Sequence, residues 1–177
     1  MLVNFEMHLI ISCSLNKSSK SRIMAKYGYN LYCKDAKFID FQKIKFPICD
    51  GDKCYEEPIV NELKGYINNA SSILIASPIY NYDLNAVAKN LVELTGIVWT
   101  DKIVGFISAA GGQGSYMSPL SFANSLMLDF RCLIIPRFVY ADKTCFNDNK
   151  NINDILKVRI EELVDSTILL SSALVTS

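Results

Sequence analysis

Histidine and tryptophan occur once each, as His8 and Trp99, and neither sign of charge is in excess: 18 basic side chains balance 18 acidic ones over 177 residues. Without a long like-charge run, the chain has no broad positive face for nucleic acid and no basic patch for an anionic membrane. Long hydrophobic runs are missing as well. None approaches the roughly 20 residues that cross a bilayer, and Glu6 and His8 interrupt the one N-terminal stretch that could pass for a secretion signal. These absences suggest a cytoplasmic protein with neither a polyanion nor a membrane as partner. Cysteine is plentiful (Cys13, Cys33, Cys49, Cys54, Cys132, Cys145), but CxxC pairs and the Cys/His spacing of zinc sites are absent. The thiols therefore read as reduced, and no metal site is expected. Cys49 and Cys54, in "CDGDKC", could form a disulfide or bind a metal, although a turn after a short strand accounts for the same spacing.

What is present is a core. Half of the residues are hydrophobic, enough for one domain over residues 1–177, and no composition break divides it. Five apolar runs of strand length, at 6–11, 36–41, 72–77, 103–109 and 132–136, alternate with segments of helical spacing at 19–33, 56–69, 85–95, 118–130 and 152–170. Such alternation is the signature of a parallel sheet covered on both faces: a three-layer, doubly wound α/β domain around five strands. The third helix marks its own limits. Asn85 can cap the first turn, Val87, Ala88, Leu91 and Leu94 form one apolar stripe, and Gly96 follows as a stop. The last helix is ambiguous, because "STILLSSALV" is apolar on more than one face and suits either the sheet edge or a second subunit.

In open parallel sheets ligands collect at the carboxyl ends of the strands, beside the point where strand order reverses. For the order 2-1-3-4-5, the loops after the first, third and fourth strands meet there, and they read "SCSLNKSSKS", "SPIYNYDLN" and "AAGGQGSYM". The first offers Ser14, Asn16, Ser19 and Ser21 beside a helix start, where unpaired N–H groups and the dipole favour an anion such as a phosphate monoester, with Lys17, Lys20 and Arg22 at hand. Helix capping by Ser18 or Ser19 explains part of the same pattern. The third loop sets Pro78, Tyr80, Asn81 and Tyr82 where a planar heterocycle would need a rigid backbone, flat rings and an amide. The fourth places Gly111 and Gly112 directly after a strand, which lets backbone N–H groups approach a ligand. Any one of these loops could be mere connection; their convergence points to a phosphorylated planar cofactor.

The segment "SPIYNYDLNAVAKN" resembles the T-P-E-Y-N-x-S-x-P-x-x-L-K-N stretch of the NADPH-dependent FMN reductase family, a flavodoxin-like group. "SCSLNKSSKSR" is similar to the family's G-S-L-R-x-x-S-x-N-R phosphate loop, and "ISAAGGQGS" to its S-A-S-G-G-x-G-G turn, in the same order over residues 9–140. The resemblance implies FMN with its phosphate among Ser14, Asn16, Ser19 and Ser21, Arg22 matching the family's helix arginine. It places the isoalloxazine between Pro78, Ile79, Tyr80 and Asn81 and the turn of Gly111, Gly112 and Gln113. It also implies NADPH or NADH as co-substrate, a homodimer or homotetramer, and a small-molecule acceptor: a flavin, a quinone, an azo compound or a metal oxyanion. The flavin then carries the chemistry, and no side chain has a covalent role. The chain departs from the pattern at Cys13 (glycine in the family), Asn16 (arginine), Ser21 (asparagine) and Ile79 (glutamate).

Other candidates read as structural. His8 lies four residues before the strand end, roughly 13 Å from the loop, which favours a structural histidine over a general base. Cys13 could be a redox thiol at a helix start, but local fit is the simpler account. Lys89 and Asn90 suit a helix surface or subunit contact better than a cofactor phosphate, and Trp99 suits packing beside the next strand or an interface. A flavodoxin-type electron carrier would share the fold, yet the T-x-T-G-x-T loop is absent; a binding or regulatory protein with weakened flavin affinity is the other alternative.

Overall fold

The computed structural model describes residues 7–32, 35–147 and 151–175. Its elements run β1 (Met7–Ser12), α1 (Lys20–Leu31), β2 (Ala36–Asp40), α2 (Pro58–Asn69), β3 (Ala70–Tyr80), β4 (Asp83–Leu84), α3 (Ala86–Thr95), β5 (Ile103–Ala109), α4 (Pro119–Phe130), β6 (Leu133–Ile134), β7 (Val139–Ala141) and α5 (Asp154–Val175). The sheet order is β2-β1-β3-β5-β6, with β7 beside β5 and β4 folded back on β3. The main pairings are parallel, β3 pairs with β4 antiparallel, and an isolated antiparallel bridge joins Phe146 to Ile152. This is the expected flavodoxin-like order, with β5 as fourth main strand and the fifth divided into β6 and β7.

Both sheet faces are buried, which is why the central strands are apolar almost throughout rather than alternating. Leu9, Ile11, Ile73, Ile75, Val104 and Phe106 pack on one side against Leu63 and Ile67 of α2, Leu91 of α3 and Phe122 and Leu126 of α4. On the other side Ile10, Leu74 and Ile107 meet Met24 and Ala25 of α1 and Leu156, Ile160 and Leu163 of α5. Gly105 lets α5 close on the sheet, since a Cβ there would lie 2.7 Å from Leu74 Cδ2 and 3.0 Å from Leu163 Cδ1. Trp99 is fully buried after α3, its Nε1 donating to Thr95 Oγ1 at 2.8 Å.

Element boundaries depart from the sequence in instructive places. The expected Glu6 of the first strand and Cys33 of the first helix lie outside the described residues. The third strand does not stop at Ser77 but continues to Tyr80, because β1 ends at Ser12 opposite Ala76 and leaves Pro78 with β5 alone as a neighbour. Proline, lacking an N–H, is tolerated where one side of the ladder is open. The expected strand 132–136 is reduced to β6, which ends at Ile134 before Pro136, and β7 pairs with β5 beyond those bounds. The last helix extends to Val175. It buries Leu156, Ile160, Leu163, Val164 and Thr167 against the sheet, and Ile155, Val158, Leu169 and Leu174 face solvent. Among the described residues, no helix is long and apolar enough to cross a membrane.

Candidate active site

The loop after β1 is built from short side chains that hydrogen-bond their own backbone. Ser14 Oγ accepts from Asn16 N at 3.3 Å, and Asn16 Oδ1 accepts from Ser18 N at 2.9 Å. Ser19 then caps α1, its Oγ accepting from Arg22 N at 3.1 Å and sharing a 3.0 Å hydrogen bond with the Ser21 hydroxyl. These hydrogen bonds fold the loop on itself beside the first turn of α1, where N–H groups lack intrahelical partners.

Arg22 lies beneath this loop, not in it. Its Nε donates to Asp40 Oδ1 at 2.9 Å in an ion pair whose side chains are 6% and 8% exposed. Its Nη1 donates to Asn16 O at 2.6 Å, and its Nη2 donates to Ser14 O. Because a trans peptide sets each carbonyl opposite the following N–H, drawing these two carbonyls inward turns the Leu15 and Lys17 N–H groups outward. Arg22 is 5% exposed, and its guanidinium shapes the loop from behind through these three hydrogen bonds. Cys13, the residue before Ser14, is fully buried in the core and has a negative φ, so its Cβ does not crowd the turn. Burial pushes its thiol up to about 12, far from the low pKa of a redox-active cysteine.

The second contribution comes from β3 and β4. Tyr80 pairs with Asp83, and Asn81 and Tyr82 between them take φ of 52° and 62°. Two left-handed residues make the tight hairpin turn that matches strand twist. Asparagine tolerates this region, whereas a tyrosine there is strained. Asn85 ties this hairpin to the first loop. Its Nδ2 donates to Cys13 O at 2.7 Å, its Oδ1 accepts from the Ser77 hydroxyl at 3.0 Å, and the same oxygen accepts from Ala88 N at 3.4 Å as the cap of α3.

The glycine turn after β5 completes the rim. Nothing lies within 4 Å of a Cβ built on Gly111 or Gly112, so open space adjoins their backbone. Tyr140 holds the turn from below, its hydroxyl donating to Gly112 O and lying 2.8 Å from Ser115 Oγ. Asp142 sits beneath, its carboxyl held below the usual range by the Thr144 hydroxyl and N–H and by the Gln113 side chain.

One cleft of about 260 Å³ is lined by Ser14, Asn16, Ser19, Ser21, Pro78, Ile79, Tyr80 and Gly111, all singled out in the sequence. Ser18, Lys20, Ala109 and Ala110 line it too, the two alanines having been legible only as small residues at a strand end. Arg22, Asn81, Gly112 and Gln113 are not on its wall. Gln113 instead lines a neighbouring hollow of about 270 Å³ with Tyr116, Tyr140, Asp142, Cys145 and Arg159. His8 is buried, its Nδ1 2.8 Å from Ser72 Oγ and its ring stacked on Tyr32. Lys89 pairs with Glu93, and Asn90 holds the backbone of Pro47 and Cys49.

A parallel sheet that gathers a helix N-terminus, a left-handed hairpin and an open glycine turn at its switch point defines a flavodoxin-like protein for a phosphorylated planar cofactor. Residues 8–145 match the family of NADPH-dependent FMN reductases. The chain belongs to that family, and so to the NAD(P)H-dependent oxidoreductases that work through FMN. It is 28% identical to an NAD(P)H:quinone oxidoreductase of Solanum tuberosum, over 71% of this chain and 70% of the relative. An NADPH:quinone oxidoreductase of Arabidopsis thaliana is 29% identical, and the match spans 60% of this chain and 59% of that protein's length. Among solved structures, the flavoenzyme NAD(P)H:(acceptor) oxidoreductase FerB of Paracoccus denitrificans superposes with a TM-score of 0.73 at 18% identity, covering 92% of this chain and 97% of that one.

Proposed function

We propose that one FMN-binding domain, spanning residues 1–177, passes reducing equivalents from NADPH or NADH to a quinone-type acceptor in the cytoplasm. The convergence of three separate loops on one cleft carries this reading. FMN, when bound, supplies a ring that takes up a hydride and gives up its electrons again. Ser14, Asn16, Ser19 and Ser21 and the first turn of α1 would hold its phosphate, and Pro78, Ile79, Tyr80 and Asn81 would flank the ring. The open backbone at Gly111 and Gly112 supports the fit, because a flat group can approach those peptides without meeting a side chain. Their N–H groups would stabilise negative charge at the ring edge, in the manner of an oxyanion hole.

Tyr80 on the cleft wall is exposed, as are Leu15, Tyr82, Tyr116 and Met117 in the loops that follow β1, β3 and β5. Such a rim suits flat apolar molecules, so nicotinamide and acceptor would use the same opening in turn. The names of the curated relatives favour a quinone over an azo compound or a metal oxyanion. Leu120, Met127 and Leu128 of α4 are also exposed, which supports a homodimer with its contact on that helix.

Titration of FMN into the purified protein should quench flavin fluorescence. Either nicotinamide, added without oxygen, should bleach the yellow colour, and a soluble benzoquinone should restore it. A protein that quenches no FMN, or whose flavin neither nicotinamide bleaches, would overturn the reading.

A further inference from the structure

Away from the cleft, the turn of residues 47–55 carries two cysteines that the flavin chemistry leaves unused. Its incoming side is pinned to α3: Asn90 Nδ2 donates to Pro47 O at 2.8 Å, and Asn90 Oδ1 accepts from Cys49 N at 2.8 Å. Its outgoing side is pinned by burial, since Cys54 is 4% exposed and packs with Val60 of α2 and Leu94 of α3. Cys49, half-buried, packs against the same cluster. Between the two, Asp50 Oδ1 accepts from Asp52 N at 2.9 Å and from Cys54 N at 3.3 Å, and Gly51 takes a φ of 78° that favours glycine. The turn is folded back so that Cys49 Sγ lies 3.4 Å from the hydroxyl of Tyr55, the residue after Cys54. Both side chains thus belong to one small apolar cluster. Burial, then hydrogen bonding to the Asp50 side chain, raises the Cys54 thiol above its ordinary value.

We propose that Cys49 and Cys54 form a reversible disulfide, a redox modification site on the layer of α2 and α3. Cys49 is the thiol an oxidant can reach, and Cys54, buried beneath it, is the resolving partner. With hydrogen peroxide, the Cys49 thiolate attacks one oxygen, the O–O bond breaks and the other oxygen leaves as water once protonated, giving a sulfenic acid. The Cys54 sulfur then attacks Cys49 Sγ, the S–O bond breaks, and the hydroxyl leaves as water with the Cys54 proton. The pair loses two electrons and the peroxide is reduced to two waters; an external dithiol reverses the reaction. The other described cysteines are less suited: Cys13 and Cys132 are buried, and Cys145 Sγ faces Asp142 Oδ1 at 3.8 Å.

The test uses the whole purified chain, with or without FMN, so its outcome is independent of the flavin reading. Graded hydrogen peroxide followed by iodoacetamide under denaturing conditions should lower the intact mass by about 2 Da before labelling. Two alkylation sites should disappear, and both should map to one peptide linking positions 49 and 54. Dithiothreitol should restore both. Cys54→Ser should leave a Cys49 sulfenic acid that dimedone traps, and Cys49→Ser should form no bridge. Bridging to another cysteine, direct passage of Cys49 to sulfinic acid in the native chain, or full alkylation of both residues after Cys145 has been oxidised would overturn the proposal.

Discussion

Arg22 shows how a charged side chain serves a ligand loop without facing the ligand. Its residue type made it look like a phosphate contact, but Asp40, Ser14 O and Asn16 O take up its planar fork. Arg22→Ala would leave Asp40 buried and unpaired, and we expect a loss of about 3–5 kcal/mol in urea unfolding. Arg22→Lys keeps the charge but cannot serve three acceptors in one plane. It should lower FMN affinity about tenfold, roughly 1.4 kcal/mol, with a smaller loss of stability. Tyr82 carries the opposite balance. Relief of its left-handed φ of 62° in Tyr82→Gly should raise stability by about 1 kcal/mol, read as a higher urea midpoint. The price is the exposed ring at the mouth, so KM for the quinone should rise.

At the scale of elements, the N-cap of α3 does more than start a helix. The sequence showed Asn85 as a cap, and the fold adds the Cys13 carbonyl and the Ser77 hydroxyl as partners. Asn85→Ala removes the cap and leaves buried groups unpaired, a loss of about 2 kcal/mol or more. Asn85→Asp keeps the capping oxygen and loses the donor to Cys13 O. It should preserve α3 by circular dichroism while weakening FMN binding, which separates the helix from the loop. Strand ends were the least legible features. Whether Pro78 sits in a strand depends on where β1 stops, and where β6 ends and β7 begins depends on how the segment around Pro136 meets β5; both are relations between segments far apart in the chain.

For the molecule as a whole, the buried thiols set an alkaline limit. Burial raises Cys13 from 9.0 to about 12 and Cys132 from 9.0 to about 11. A folded pKa above the unfolded one gives stability that is complete below pH 9 and is lost as pH climbs toward the folded values, where the unfolded chain ionises first. The urea midpoint should therefore fall above pH 9, and Cys13→Ala should flatten the fall. If the proposed homodimer forms through α4, charge placed on its outer face, in Leu120→Lys with Met127→Lys, should convert dimer to monomer in sedimentation velocity. Apolar periodicity, the Asn85 cap and the small-residue loops were written into the chain locally, so the doubly wound fold and the three rim segments followed from them. Local pattern cannot say which way a side chain faces once distant strands are side by side. Packing alone turned Arg22 beneath its loop, sent Gln113 toward Asp142, sank the Cys13 thiol into the core and drew Cys49 and Cys54 into one cluster with Val60 and Leu94, because each outcome depends on partners supplied by other elements.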